Sequence, residues 1–150
     1  MQPILFYYEM VEKVIAEFGV DPKLCRGQTL GQWSMKLGSA SVWIDVFQSK
    51  DAQGNYIDAG YLQIMAPIMQ IPADRQQELY RELLEINHKL YGVGFTVFET
   101  GVYIKSIREL EGLDHSETVS TFKRVGYYAD DYDDMLKAKY WPAAGGRASE

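Results

Sequence analysis

The chain has 150 residues and a mass of 17.2 kDa, a size that predicts one domain with enough core to fold without disulfides. Hydrophobic residues make up 47% and charged residues 24%, as in ordinary soluble domains, which excludes wholesale disorder and fibrous repeats. The net charge of −6 and the lack of a basic cluster argue against nucleic acid or an anionic membrane as a partner.

The sequence also indicates a compartment. Its longest apolar runs, such as residues 4–8, are far shorter than the roughly 18 to 20 residues of a membrane span, and no basic-then-apolar leader is recognisable. The single cysteine, Cys25, forms no internal disulfide and has no companion for a metal site, which fits a reducing compartment. We therefore expect a cytoplasmic protein in which Cys25 is a half-buried loop residue.

The first predicted element is a helix from about residue 2 to residue 18. Pro3 suits a first helical turn, and Gly19 followed by Asp21-Pro22 ends the pattern. Between these signals, one apolar face recurs at helical spacing and is expected to pack on the core: Tyr7, Val11, Val14, Ile15 and Phe18.

Three strands of alternating hydrophobicity follow the first helix. The first two lie around residues 33–37 and 42–47, and Gly38-Ser39 between them fits a two-residue type II′ turn. A longer turn at residues 50–55 leads to a third strand, from about Tyr56 to Ala66, which Pro67 is expected to end. This order predicts an antiparallel meander.

A second helix is predicted from Pro72 to Gly92, with Asp74 in its first turn. Two further strands, at residues 95–99 and 102–108, are expected to pair around a turn at Thr100-Gly101. The apolar stripe of the second helix has the spacing of a core-facing surface and comprises Leu79, Leu83, Ile86 and Leu90.

The last predicted helix begins at Asp114, which has capping-box spacing to Glu117, although Ser116 is an alternative cap. Apolar residues then repeat every three to four positions across Gly126, where a kink is expected, as far as Pro142. Residues 143–150 are small and polar and are predicted to be a disordered tail. The fold class is therefore α+β, a single domain over residues 1–142 with a five-stranded antiparallel sheet and helices mainly on one face.

No motif in the sequence specifies a reaction. The acidic segment Asp130–Asp134 would place several carboxylates on one helical face, which suits either solvent exposure or a divalent cation. Exposure is favoured, because no second ligand cluster is present. His88 and His115 lack the spacing of metal or catalytic pairs, and Gly92-Val93-Gly94 follows a helix rather than a strand, the wrong context for a phosphate loop. We therefore expect no catalytic residue, no cofactor and no metal site.

Aromatic residues are unusually frequent, with 11 Tyr, 3 Trp and 6 Phe, and such side chains suit interfaces as well as core edges. Trp43 and Phe47 share one strand face, so they are expected to project from the uncovered side of the sheet. The alternative is that long polar side chains, such as Gln32 and Lys36, cover them. Together with Trp33, these two aromatics are the predicted partner-binding residues.

Four segments of the chain resemble the YbjN family of bacterial proteins and, more distantly, the class I type III secretion chaperones of the Tir chaperone kind. The similarity extends from about Ile4 to Tyr140. The segments are the amphipathic first helix around Tyr8–Val14, the Trp33–Phe47 hairpin, the stretch Leu110–Asp114 leading into Phe122, and the acidic segment Ala129–Leu136.

The resemblance implies a non-enzymatic, dimer-forming binding protein with a type III secretion chaperone-like fold. YbjN relatives are described as regulators of sensory transduction or stress, and the secretion chaperones hold an extended partner segment on their surface. In those chaperones the second helix and the following strand contribute to the dimer contact. By analogy, a homodimer interface here would involve Leu79, Leu83, Ile86, Leu90, Phe95 and Val97.

Two functional hypotheses follow. The first is a chaperone-like or regulatory module that holds a peptide or protein segment on an apolar surface of its sheet. The alternative is a small-ligand sensor or small enzyme with a pocket between the sheet and the third predicted helix, lined by tyrosines such as Tyr127 and Tyr128.

Overall fold

The computed structural model describes residues 2–142, which form one five-stranded antiparallel sheet and four helices. The strands are β1 (Gln32–Leu37), β2 (Ala40–Phe47), β3 (Tyr61–Gln70), β4 (Gly94–Phe98) and β5 (Gly101–Glu109), in the spatial order β1-β2-β3-β5-β4. The helices are α1 (Ile4–Glu17), α2 (Pro22–Cys25), α3 (Gln76–Asn87) and α4 (His115–Tyr140). The predicted α+β class and antiparallel sheet are confirmed. The predicted disordered tail, residues 143–150, lies outside the described residues.

Two tight turns set the register of the sheet. Gly38-Ser39 joins β1 to β2 as the predicted two-residue turn, and of this pair Gly38 has a left-handed φ, of 61°, which a type II′ turn requires at its first central position. Glu99-Thr100 joins β4 to β5, one residue earlier than predicted, because Gly101 already pairs within the ladder. Both turns produce antiparallel neighbours.

The third strand differs from its prediction. It runs from Tyr61 to Gln70 instead of from Tyr56 to Ala66, and Pro67 lies inside it. Pairing of β2 with β3 ends at Trp43 and Met65, so beyond that point β3 has a neighbour only on its β5 side. A proline is tolerated at such a local edge, and a register shift follows it.

The boundaries of α3 also differ from the prediction. The helix begins at Gln76 rather than at Pro72, because Arg75 adopts a left-handed φ of 59° that an α-helix cannot contain. It ends at Asn87, earlier than predicted, and the Asn87 side chain binds both the N–H and the C=O of Phe95 on β4. A side chain from α3 therefore occupies part of the free edge of the sheet.

Side-chain caps begin α2 and α4. The Asp21 carboxylate accepts a hydrogen bond from the Lys23 N–H, which starts the short α2 that periodicity did not predict. At α4 the predicted capping box is present, since Asp114 accepts from the Glu117 N–H at 2.8 Å and Glu117 accepts from the Asp114 N–H at 3.2 Å. α4 is one continuous helix of 26 residues, and it includes Gly126, the position at which the sequence predicts a kink. No helix of the described chain is long and apolar enough to cross a bilayer.

The helices pack on one face of the sheet and enclose a single hydrophobic core. α4 contacts β2, β3 and β5, α1 contacts β2 and α4, and α3 contacts β4. Because successive strand residues point to opposite faces, every second residue of β2 and most alternate residues of β1 and β3 are buried beneath the helices. Side chains with no exposed surface include Val14, Ile15, Val42, Ile44, Ile64, Leu79, Val102, Ile104, Phe122, Val125 and Leu136.

A glycine comparison tests how tightly the loop before β1 packs. Gly31 has a left-handed φ of 84°, and an added Cβ would lie 2.5 Å from the Val46 carbonyl oxygen and 3.0 Å from the Tyr8 ring. Gly19 has the same φ, but no heavy atom lies within 4 Å of an added Cβ. We expect Gly31→Ala to lower the free energy of unfolding by about 3 kcal/mol and Gly19→Ala by about 1 kcal/mol, because only the first is also crowded. Urea denaturation measures both losses, and equal values would contradict the crowding argument.

Candidate functional site

The face of the sheet that the helices leave uncovered is the candidate functional site, and we call it the open face. Its side chains form three cross-strand rows, set by the register of β2, β3 and β5. Each row alternates with buried core residues, so its side chains project away from the helices. The rows are Trp43, Met65 and Lys105; Asp45, Gln63 and Ile107; and Phe47, Tyr61 and Glu109.

Two aromatic pairs frame the open face. The Trp43 and Tyr103 rings have centroids 6.0 Å apart, and the Phe47 and Tyr61 rings have centroids 5.7 Å apart, both in tilted geometry. Trp43 and Phe47 are each 37% exposed, so the polar side chains of β1 do not cover them completely. Ile107, in the row between the pairs, is also exposed. The open face thus offers rigid apolar contact area of the kind found in protein interfaces.

Asp45 lies between the two aromatic pairs. It is half-buried, and burial raises the pKa of its carboxyl group. Gln32 on β1 and Gln63 on β3 flank it, and their side-chain amides lower that pKa by less than burial raises it. No ion pair formed within residues 2–142 includes Asp45. The centre of the open face is therefore a carboxylate to which the described part of the chain supplies no cation.

Trp33, the third aromatic residue predicted to bind a partner, lies on the helix-covered face. It pairs with Ile44 and is 4% exposed, and its indole N–H donates to the Glu12 carboxylate of α1 at 3.2 Å. Glu12 also accepts two hydrogen bonds from Arg26, which lower the pKa of its carboxyl group. Trp33 therefore anchors α1 to the sheet. The prediction that groups Trp33 with Trp43 and Phe47 is therefore corrected, because the Trp33 side chain faces the core.

The residues predicted at a dimer interface have two different environments. Val97, on the outer strand β4, is 46% exposed. The others belong wholly or partly to the core of a single chain: Leu79, Leu83, Ile86, Leu90 and Phe95. Tyr80 and Leu84 on α3 and Phe98 on β4 are exposed apolar side chains that the sequence analysis did not assign to an interface. Leu84 departs from the core-facing stripe of α3, and that departure was the available signal.

The acidic segment Asp130–Asp134 lies on α4 and makes local polar contacts. Asp130 accepts a hydrogen bond from the Ser39 hydroxyl at 2.6 Å, and an Asp133 oxygen lies 3.8 Å from the Lys137 ammonium nitrogen. Among residues 2–142, no group of three or more His, Cys, Asp and Glu side chains could hold a metal ion. Asp130 therefore connects α4 to the turn between β1 and β2.

The histidines and the cysteine have structural environments. His88 is the exposed C-cap of α3, and His115 Nε2 lies 2.8 Å from a Glu17 carboxylate oxygen. Cys25 is buried at the end of α2 rather than half-buried in a loop, and burial raises the pKa of its thiol. A raised pKa leaves less of the nucleophilic thiolate at neutral pH, so this thiol is poorly suited to chemistry.

The tyrosines proposed to line a pocket contact each other along the surface of α4. The Tyr127 ring is exposed and contacts Tyr128 at 5.6 Å between centroids, and Tyr128 contacts Tyr132 at 6.3 Å. A cleft of about 400 Å³ does lie between β5 and α4, but its walls are largely polar and include Ser106, Arg108, Glu117, Ser120 and Arg124. The tyrosine-lined pocket of the second hypothesis is therefore not formed by these two side chains.

The raised pKa of Asp45 generates a pH-dependent prediction. A carboxyl group whose pKa is higher in the folded than in the unfolded state binds more protons when folded, so stability falls as pH rises through that interval. Asp45→Asn should therefore raise the urea midpoint at pH 7. This gain in stability should vanish when the pH is below 3.8, the ordinary pKa of an aspartate carboxyl group. Asp131→Asn, at an exposed position of α4, is the control and should change little. A lower midpoint for Asp45→Asn at pH 7 would contradict this account.

Comparison with known proteins places the chain in a family. The profile of YbjN, described as "Putative bacterial sensory transduction regulator", matches residues 7–138. No curated protein matches the sequence. Among the similar solved structures are three that share 14 to 15% sequence identity with this chain, a level that establishes the fold alone.

The first of the three is the crystal structure of the ExsC-ExsE complex, with a TM-score of 0.62 over 91% of this chain and 97% of that chain. The HopA1-SchA chaperone-effector complex has a TM-score of 0.60, over 87% of this chain and 95% of that chain. The Yersinia pestis type III secretion chaperone SycH, in complex with a stable fragment of YscM2, has a TM-score of 0.56, over 83% and 98%. The fold is thus that of the type III secretion chaperones, and the chain belongs to the YbjN family.

Proposed function

We propose that the protein is a non-enzymatic binding module of the cytoplasm that holds an extended segment of a partner protein on the open face. The observation that carries this proposal is a sheet surface without a helix over it, framed by the pairs Trp43–Tyr103 and Phe47–Tyr61. Each of the three similar structures is, by its description, a complex with a second component, which supports a protein partner.

An extended segment suits the geometry of this surface. The rows of the open face repeat at every second residue of β2, the same period at which an extended chain presents side chains to one side. A segment aligned with β2 would therefore place successive inward side chains over Trp43, Asp45 and Phe47 in turn. Aromatic side chains lose little rotamer entropy when they are covered, which favours them as anchors of such a contact.

Substitutions on the open face test the proposal. Trp43→Ala removes an anchor and Phe47→Asp places a charge in the contact, so both should leave the fold intact and weaken partner capture by about tenfold or more. Leu24→Asp is the matched control, because Leu24 is highly exposed on α2, away from the open face. Capture from native cytoplasm, quantified by mass spectrometry, should enrich one protein with wild type and with the control variant only.

The fold of each variant is checked by circular dichroism and thermal melting before capture. A protein captured equally by wild type and by both open-face variants would contradict binding at this surface. If every protein that wild type enriches is also captured by the folded open-face variants, the proposed function is wrong. The small-ligand hypothesis would then be favoured.

We also propose that the chain forms a homodimer through exposed side chains of α3 and β4. Tyr80 and Leu84 are exposed on α3, and Val97 is exposed on the neighbouring β4. Val97 pairs with the buried Val102, so its side chain lies on the side of β4 that α3 contacts, whereas Phe98 projects to the opposite face and does not belong to this surface. The proposed interface lies in the region that the family resemblance implies. It consists of exposed side chains, whereas most of the side chains named from the resemblance are buried.

Light scattering after size-exclusion chromatography tests the dimer. Wild type should elute with twice the 17.2 kDa mass of the chain. Leu84 is 69% exposed, so Leu84→Asp should preserve the fold and shift the mass to that of one chain, because an uncompensated charge at a buried interface is unfavourable. Leu24→Asp should remain a dimer. A monomeric wild type, or a dimeric Leu84→Asp, would contradict this interface.

A further inference from the structure

The centre of the open face combines a carboxylate with aromatic rings on both sides. Trp43 lies two residues before Asp45 on β2 and Phe47 lies two residues after it, so all three side chains project from the same face. Along the strand, each of the two aromatic residues is roughly 7 Å from Asp45. The Tyr103 ring extends the first aromatic group towards β5, and the Tyr61 ring extends the second towards β3. Asp45 therefore places a negative charge between two apolar, aromatic groups.

The charge of Asp45 has no counterpart among its neighbours. On β1 the adjacent open-face side chains are Gln32 and Ser34, and on β3 the directly opposed side chain is Gln63. The diagonal neighbours on β3, Tyr61 and Met65, carry no positive charge at neutral pH. The lysines on this face lie farther away. Lys105 is on β5 opposite Met65, two strands from Asp45, and Lys36 is on β1 four residues beyond Gln32. None of the ion pairs within residues 2–142 includes either lysine.

A half-buried carboxylate without a cation is energetically unfavourable, and a partner that supplies one would relieve this cost. A lysine or arginine side chain laid between the two aromatic pairs would donate a charge-assisted hydrogen bond to the Asp45 carboxylate and contact the electron-rich ring faces. The net charge of −6 adds a long-range attraction for a basic segment.

We propose that the partner segment presents a lysine or arginine to Asp45, with apolar residues two positions before and after it over Trp43 and Phe47. This inference rests on the proposed function and specifies its ligand as a segment of the pattern apolar-x-basic-x-apolar in extended conformation. The spacing follows from the strand period, because a segment aligned with β2 repeats its inward side chains at every second residue.

Synthetic peptides test the pattern directly. Fluorescein-labelled peptides with Leu-Ser-X-Ser-Leu at their centre, where X is lysine, norleucine or glutamate, are titrated with the full chain and followed by fluorescence anisotropy. Wild type should bind the lysine peptide about tenfold more tightly than the norleucine peptide, as expected for a hydrogen bond to a charged group, and the glutamate peptide most weakly.

Matched variants assign the preference to Asp45. Asp45→Asn should retain binding of the norleucine peptide and lose the preference for lysine, whereas Asp131→Asn removes the same charge on α4 and should keep it. Asp45→Lys should reverse the order, so that the glutamate peptide binds more tightly than the lysine peptide. A reversed order in this variant would be difficult to obtain from a change in folding alone.

The outcomes separate this inference from the proposed function. If wild type binds the lysine and norleucine peptides equally, and Trp43→Ala weakens both, the basic specificity is overturned and the binding surface stands. Retention of the lysine preference in Asp45→Asn would also overturn it. If none of the peptides binds wild type, the open face does not hold segments of this kind, and the inference falls together with the proposed function.

Discussion

The packing of the helices on one face of the sheet is the constraint on which the rest of the structure depends. A strand points its successive side chains to opposite faces, so one set can be buried under helices while the other remains uncovered. In β2 the buried set includes Val42 and Ile44, and the uncovered set is Trp43, Asp45 and Phe47. A strand covered by helices on both faces would be apolar at both sets. The open face therefore follows from the alternation in β2 together with the position of the helices.

Polar contacts tie both edges of the sheet to the helices. At the β4 edge, Asn87 of α3 binds the backbone of Phe95. At the β1 end, Asp130 of α4 accepts a hydrogen bond from the β1–β2 turn, and Glu12 of α1 accepts one from Trp33. An occupied edge offers fewer backbone groups to an added strand, so these contacts favour recognition on the face of the sheet over recognition at its β4 edge.

The type III secretion chaperones share this fold with the chain at 14 to 15% identity. At that identity the core pattern can be kept while surface side chains change, so the fold alone does not determine the partner. Partner choice would then depend on which residues occupy the outward positions of the strands. In this chain those positions hold two aromatic pairs and, between them, the half-buried Asp45 carboxylate, and the proposed recognition of a basic and apolar segment rests on this combination.

By itself, the sequence determined the order of the five strands and the three long helices, the fold class and the face on which Trp43 and Phe47 project, because hydrophobic periodicity and turn residues such as Gly38 act locally. It did not determine that Trp33 is buried, because its burial depends on α1 and Glu12, which are distant in the chain. The sequence also gave no reason to single out Asp45. Its environment is assembled by the register of three strands and by the packing of every helix on the opposite face, and only the tertiary structure decides these.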